Sequence, residues 1–289
     1  MDQRFLVSVP KSSKKTNRPL PAGWEPTKLD CSKDLSEVTK LSTEYRLEFP
    51  AAIGSLIYLT NTRPDIMYAV TKLAKFMRMP GRKHFLALIH LLYYLRDNCN
   101  LGLKYYRKLA DSPVQVILTQ NNFKGKHVLL GFHDSSWQDC PDSGKSTGSH
   151  VLFGQGGPID FSSFVPAPVA MSSAEAENNA AATAGMAMSH IRMMWNEMEG
   201  SHPDNLWNPP ILMLCDNKSA VTMINTEKDT KAQRHTKRRL MFSRQQRREK
   251  ELETKFLSNE FMLADMGTKN LDLPSFQPIR NSVMADVPD

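Results

Sequence analysis

Four acidic side chains of this 289-residue chain stand where acids are costly, and together they could do metal chemistry. Asp134 closes the apolar run Val128-Leu-Leu-Gly-Phe-His133, and Asp216 closes Ile211-Leu-Met-Leu-Cys215. Glu175 lies in the first turn of a long amphipathic segment, and Asp265 sits in the apolar turn Phe261-Met-Leu-Ala-Asp-Met266. A strand core is normally free of Asp, so an Asp ending a buried run is either a cap or a working group. Taken singly, each acid has a bland explanation: the two strand aspartates open turns, Glu175 caps its own helix, and Asp265 caps a terminal turn. Taken together, in this order of elements, they point to one site. Facing carboxylates repel unless a cation holds them, and hard oxygen ligands suit magnesium. Two such ions about 3.5–4 Å apart activate a water and stabilise the leaving oxygen in phosphodiester cleavage.

The elements that must position these acids can be read from periodicity. Residues 1–45 hold Lys11-Ser-Ser-Lys-Lys-Thr-Asn-Arg18 and little periodic apolar content, so a flexible lead-in without its own core is expected. From Pro50 the spacing turns helical, giving three amphipathic helices: one through Ile53, Leu56 and Ile57, one from Asp65 to about Arg78, and one from about Lys83 to Asn98. His84 and His90 read as ordinary helix residues. Then the character changes. Val114-Gln-Val-Ile-Leu118 alternates weakly, as a strand would. His127–Phe132, Ser149–Gly154 and Ile159–Ser163 predict three consecutive antiparallel strands, the carboxylate strand first, with Gln155-Gly-Gly-Pro158 as a hairpin turn. A long helix follows from Ser172 or Ser173 to about Glu199, its core face carrying Ala184, Ala187, Met188, Ile191, Met194 or Trp195, and Met198. After it the sequence predicts a buried strand Ile211–Cys215, a short helix through Ala220 and Ile224, an edge strand Leu252–Leu257 and a short helical turn around Asp265.

Five short stretches in this order carry a resemblance: Gly131-Phe-His-Asp-Ser-Ser-Trp137, Lys145-Ser-Thr-Gly-Ser149, Ser172-Ser-Ala-Glu-Ala-Glu177, Leu214-Cys-Asp-Asn-Lys-Ser-Ala220 and Ala264-Asp-Met-Gly-Thr-Lys269. They resemble the ribonuclease H domain of copia-type retrotransposon polyproteins, over roughly residues 48–275. Ile53-Gly-Ser-Leu-Ile-Tyr-Leu-Thr60 and Thr62-Arg-Pro-Asp-Ile-Met-Tyr-Ala-Val70, with Pro80 and His84, look like the segment joining reverse transcriptase to that domain. The resemblance implies an α/β ribonuclease H-like fold, a five-stranded mixed sheet flanked by helices and preceded by a small helical segment. The expected divisions are a lead-in over 1–45, a helical connection over 46–108, the ribonuclease H-like domain over 109–275 and a tail over 276–289. It further implies that Asp134, Glu175 (rather than Glu177), Asp216 and Asp265 are catalytic, holding two Mg²⁺ ions for which Mn²⁺ can substitute. The implied reaction is endonucleolytic cutting of the RNA strand of an RNA–DNA hybrid, told from DNA by its 2′-hydroxyl.

Departures from that pattern matter. The family commonly has Asp-Ala-Asp-Trp where this chain has Asp134-Ser-Ser-Trp137, and its Arg-Thr-Lys-His-Ile stretch is only loosely echoed by Arg234-His-Thr-Lys-Arg-Arg239. No Tyr-x-Asp-Asp polymerase motif occurs, which excludes a complete reverse transcriptase. Net charge is +7, and Lys231–Lys250 holds nine Lys or Arg against one Glu, a strip suited to backbone phosphates. Asn217, Ser219, Arg234, His235, Lys237, Arg238 and Arg239 are the expected nucleic-acid contacts, with His235 a candidate for assisting product release. The expected partners are a hybrid duplex and the polymerase portion of a parent polyprotein, with no membrane: no apolar run approaches the roughly 18 residues of a span, and the N-terminus lacks a signal-type apolar core. Cys31, Cys99, Cys140 and Cys215 are scattered, without a Cys-x-x-Cys pair, and read as free thiols of a reducing intracellular compartment, cytoplasmic or nuclear. The rival reading is a catalytically silent nucleic-acid-binding module of the same fold. A nuclease of the integrase or resolvase type generally uses fewer acids.

Overall fold

The chain divides into two units, Met1–Leu103 with Lys269–Asp289, and Lys104–Thr268. The structure, a computed structural model, describes residues 15–123, 129–154, 156–198, 210–227 and 237–287, the side chains of Leu109 and Lys237 excepted. This division differs from the expected one at both ends: the C-terminal stretch rejoins the first unit instead of forming a tail. The lead-in also carries more structure than its composition suggests. Helix α1 (Leu35–Tyr45) starts at Asp34, whose side chain accepts from the Glu37 N–H, and Leu20, Trp24 and Leu41 are buried.

Helix α2 (Phe49–Leu59) buries Phe49, Ala52, Ile53 and Leu56, the three-and-four spacing of one helical face. The second expected helix is shorter than its periodicity implied: a 3₁₀ turn over Pro64–Ile66 precedes α3 (Met67–Ala74). A buried network fixes that turn. Arg63 donates through Nε and Nη2 to the two oxygens of Asp65 (2.9 and 2.7 Å), and the Tyr94 hydroxyl donates to Asp65 Oδ2 at 2.6 Å. Helix α4 (Arg82–Asp97) opens at Gly81, whose N–H donates to His84 Nδ1 at 3.0 Å. The His84 ring stacks on Phe76, centroids 4.1 Å apart, and burial pulls its pKa down to about 4. Gly81 is required there because a Cβ would fall 1.9 Å from the Asp30 carbonyl oxygen. Strand β1 (Leu101–Leu103) ends this part of the unit.

In the second unit the residues expected to form a weak strand are a helix, α5 (Pro113–Gln120). Ser112 Oγ accepts from the Val114 N–H and Pro113 sits at the first turn, the chemistry of a helix start. Val114, Ile117 and Leu118 are buried while Val116 is exposed, so the apolar period is helical. The sheet then forms from β2 (Leu129–Ser136), β3 (Thr147–Gly154), β4 (Gly157–Phe164), β5 (Ile211–Cys215) and β6 (Leu252–Phe256), in the order β4-β3-β2-β5-β6. The first three are antiparallel neighbours, as expected, and β5 joins β2 in parallel, with β6 parallel to β5 at the edge. Residues 127, 128 and 155, within the expected first strand and hairpin turn, lie outside the described residues.

Helix α6 (Ser173–Met198) packs across β2 and β3, and a core of Leu129, Leu152, Ala184, Met188, Ile211, Met213 and Leu252 fills the space between. The expected core face holds at Ala184 and Met188, with Ala187, Ile191 and Trp195 partly buried against them. Of the alternatives at its end it is Trp195 that packs, while Met194 and Met198 are exposed. Helices α7 (Lys218–Asn225) and α8 (Lys237–Arg248) complete the layer, joined to α6 through Ala181, Ile224 and Leu240. A 3₁₀ turn over Leu263–Gly267 carries Asp265. Residues expected to be an uninformative tail then form α9 (Leu273–Val283), capped by Asp272, and β7 (Met284–Asp286), which pairs antiparallel with β1.

Candidate active site

Strand β2 is buried along nearly its whole length, so its last residues can hold a polar group away from bulk water. It pairs Phe132 with Leu214 of β5, and continuing that parallel register by two residues brings Asp134 beside Asp216. Asp134 is 2% exposed, while Asp216, just beyond its strand, is partly open. The third carboxylate of the group is Glu177. One ligand oxygen from each of Asp134, Glu177 and Asp216 lies within 4.8 Å of the other two.

Glu175, expected at this place, is elsewhere. Its Oε2 accepts from the Met171 N–H at 2.8 Å, and its own N–H donates to Ser172 Oγ at 3.2 Å, so it closes the N-terminus of α6. Two positions apart on a helix, residues differ by about 200° in direction, so only one of Glu175 and Glu177 can face the strand ends. The sheet-facing stripe through Ala184 and Met188 runs back two turns to Glu177. That phase was the signal in the sequence that pointed away from Glu175.

The supporting contacts come from several elements. The Ser135 N–H donates to Glu177 Oε1 at 3.0 Å, and the Thr268 hydroxyl donates to Asp134 Oδ2. Asn259, its amide oriented by its partners, donates to Asp216 Oδ2 at 3.2 Å and Asp265 Oδ2 at 3.1 Å, tying the fourth acid to the group. Ser163 Oγ anchors the Asp265 turn through the Gly267 carbonyl at 2.6 Å. Trp137 Nε1 donates to the Ala170 carbonyl, holding the chain ahead of α6. Glu177, Asn259 and Thr268 are thus site residues that sequence reasoning missed.

Burial, and then the charges of Asp134 and Asp216, raise the Glu177 pKa well above the ordinary carboxylate range. Burial likewise pulls His133 down to about 4 and pushes the Cys215 thiol up. Mutual repulsion of this kind is what a divalent cation relieves, and the all-oxygen donor set fits a hard one. Asp134, Glu177 and Asp216 could hold it, with Asp265 beside them.

The expected nucleic-acid contacts that are described lie at the starts of α7 and α8. Asn217 Oδ1 caps α7 by accepting from Ala220 N–H, and Ser219 is exposed beside it. Arg238 is exposed and Arg239 half-buried at the start of α8. Arg234 and His235 lie outside the described residues, as does the side chain of Lys237. Part of the basic run is structural: Arg244 is buried and donates to the Met223 carbonyl, and Arg247 pairs with Glu227. None of the four cysteines is in a disulfide, and no helix among the described residues is long and apolar enough to cross a membrane.

No family model matches the chain. It is 31% identical over 247 residues to the retrovirus-related Pol polyprotein from transposon RE1 of Arabidopsis thaliana, covering 85% of this chain and 15% of that protein. The corresponding polyprotein from transposon TNT 1-94 of Nicotiana tabacum is 25% identical, over 92% of this chain and 18% of its own length. The chain therefore spans less than a fifth of the polyproteins it matches. Among solved structures, RNase H1 from the halophilic archaeon Halobacterium salinarum NRC-1 overlaps 48% of this chain and 93% of itself, at TM-score 0.37 and 14% identity. Three antiparallel strands followed by two parallel ones, with helices around them, make the fold ribonuclease H-like. By its relatives and its strand order, the chain is homologous to part of the Pol polyproteins of copia-type retrotransposons and carries a ribonuclease H-like domain.

Proposed function

We propose that the chain is a divalent-metal-dependent endonuclease that cuts the RNA strand of RNA–DNA hybrids. The convergence of Asp134, Glu177 and Asp216 carries this reading. Magnesium held there would supply the positive charge that activates a water and stabilises the leaving oxygen. The chain's own residues do the positioning. Ser135 N–H fixes the direction of Glu177, Thr268 fixes Asp134, and Asn259 spaces Asp216 from Asp265. A carboxylate set held rigid in this way meets the scissile phosphate without reorganising.

Backbone phosphates of the duplex lie along the start of α8, where Arg238 is exposed. Arg238→Ala is expected to weaken hybrid binding for all sequences alike and to lower the salt slope by about one. The decisive experiment is cleavage of a labelled hybrid with magnesium, comparing the chain with Asp134→Asn and Glu177→Gln. Cutting confined to the RNA strand, and lost in both variants, is the expected result. Intact, salt-sensitive hybrid binding without any cutting would favour the silent binding module instead.

A further inference from the structure

Glu177 belongs to a second set of converging donors. His133 on β2 and Cys215 at the end of β5 are both fully buried. One ligand atom from each of these and an oxygen of Glu177 all lie within 4.8 Å of one another. His133 Nδ1 is 3.7 Å from Glu177 Oε2, and Cys215 Sγ is 3.7 Å from the same oxygen. Neither ring nitrogen of His133 has a hydrogen-bond partner among the described residues. A fully buried imidazole left without partners is costly, and carboxylate-held phosphodiester chemistry has no use for it. Cys215 Sγ accepts from the Asn217 N–H at 3.4 Å and, as a thiol, donates to Glu177 Oε2, a proton that a bound cation would displace.

Imidazole, thiolate and carboxylate are the ligands of borderline-soft cations. Zinc takes nitrogen and oxygen at about 2.0–2.2 Å and sulfur at about 2.3 Å, so tetrahedral ligand–ligand edges of roughly 3.3–3.6 Å follow. The two 3.7 Å separations are within a few tenths of that. Two anionic ligands and one neutral imidazole balance a doubly charged ion, as a dry site requires. Magnesium prefers oxygen and keeps its waters, so the set discriminates against it.

We propose that His133, Glu177 and Cys215 form a site for a divalent cation of the zinc class, and that filling it withdraws Glu177 from Asp134 and Asp216. Binding releases the Cys215 thiol proton to solvent, with any proton carried by Glu177, and involves no redox step. Its effect on cleavage rests on the nuclease reading; the binding itself does not. Sequence spacing hides the site because its ligands come from β2, α6 and β5.

Cobalt(II) titration of the full chain, followed by absorption, tests it. One equivalent is expected to give a thiolate-to-cobalt charge-transfer band that zinc removes and excess magnesium does not. Cys215→Ser and His133→Gln should each lose the band, and Asp216→Asn should keep it. Zinc-edge X-ray absorption of the unmodified chain at one equivalent needs no variant, and one sulfur neighbour is expected. No band in the unmodified chain, a band surviving Cys215→Ser, or a shell without sulfur would overturn the proposal. A band on adding cobalt to a chain that cleaves no hybrid under magnesium alone would support this site and sink only the nuclease reading.

Discussion

Two glutamates two positions apart in a motif have different surroundings, and the difference can be measured. Glu177→Gln is expected to abolish magnesium-supported hybrid cleavage. Glu175→Gln should retain it while losing about 0.5–1 kcal/mol of stability at the α6 N-terminus, read from urea unfolding. The opposite pattern would return Glu175 to the site. Asn259→Ala should cost about 10–100-fold in metal affinity, since its amide orients two of the acids, and magnesium titration of cleavage would show it. At this scale the sequence was legible where an acid ended an apolar run, as at Asp134 and Asp216. It was illegible at Thr268 and Asn259, because a hydroxyl or amide in a loop acquires its role only from what the fold brings opposite.

Among the elements, α3 and α4 depend on one buried ion pair. Asp65→Ala strands the Arg63 guanidinium and the Tyr94 hydroxyl, and about 3–5 kcal/mol of stability is expected to go with it, by chemical denaturation. His84 gives the same unit a pH dependence of known sign. The unfolded ring takes up a proton near 6.5, whereas the folded ring resists until about 4, so the unfolded state binds more protons across that window. Stability should be whole above about pH 6.5 and fall toward pH 4, by at most ~1.4 kcal/mol per pH unit. His84→Gln, which still accepts from Gly81, should flatten the slope of urea midpoint against pH; an unchanged slope would assign the dependence to other groups. Elements long enough to show two or three turns of spacing, such as α2 and α6, were plain in the sequence. Over the five residues of Val114–Leu118 helical and strand periods overlap, and Ser112 with Pro113 decides between them.

For the molecule as a whole, the two-part first unit is the feature the sequence concealed. Nothing local to residues 269–289 reveals that β7 belongs beside β1, since strand partners distant in the chain are chosen by tertiary contact. A chain ending after Thr268 would lose the buried Phe276, Ile279 and Val283, each worth about 1.5–3 kcal/mol. That loss rivals the net stability of a domain, so calorimetry should show the first unit's transition vanish while that of Lys104–Thr268 persists. The same connectivity sets an order for biosynthesis. On the ribosome, β1 emerges long before the strand that completes its sheet, and every residue of the second unit is translated in the interval. The second unit can therefore finish folding while the unit that began first still waits for its last strand.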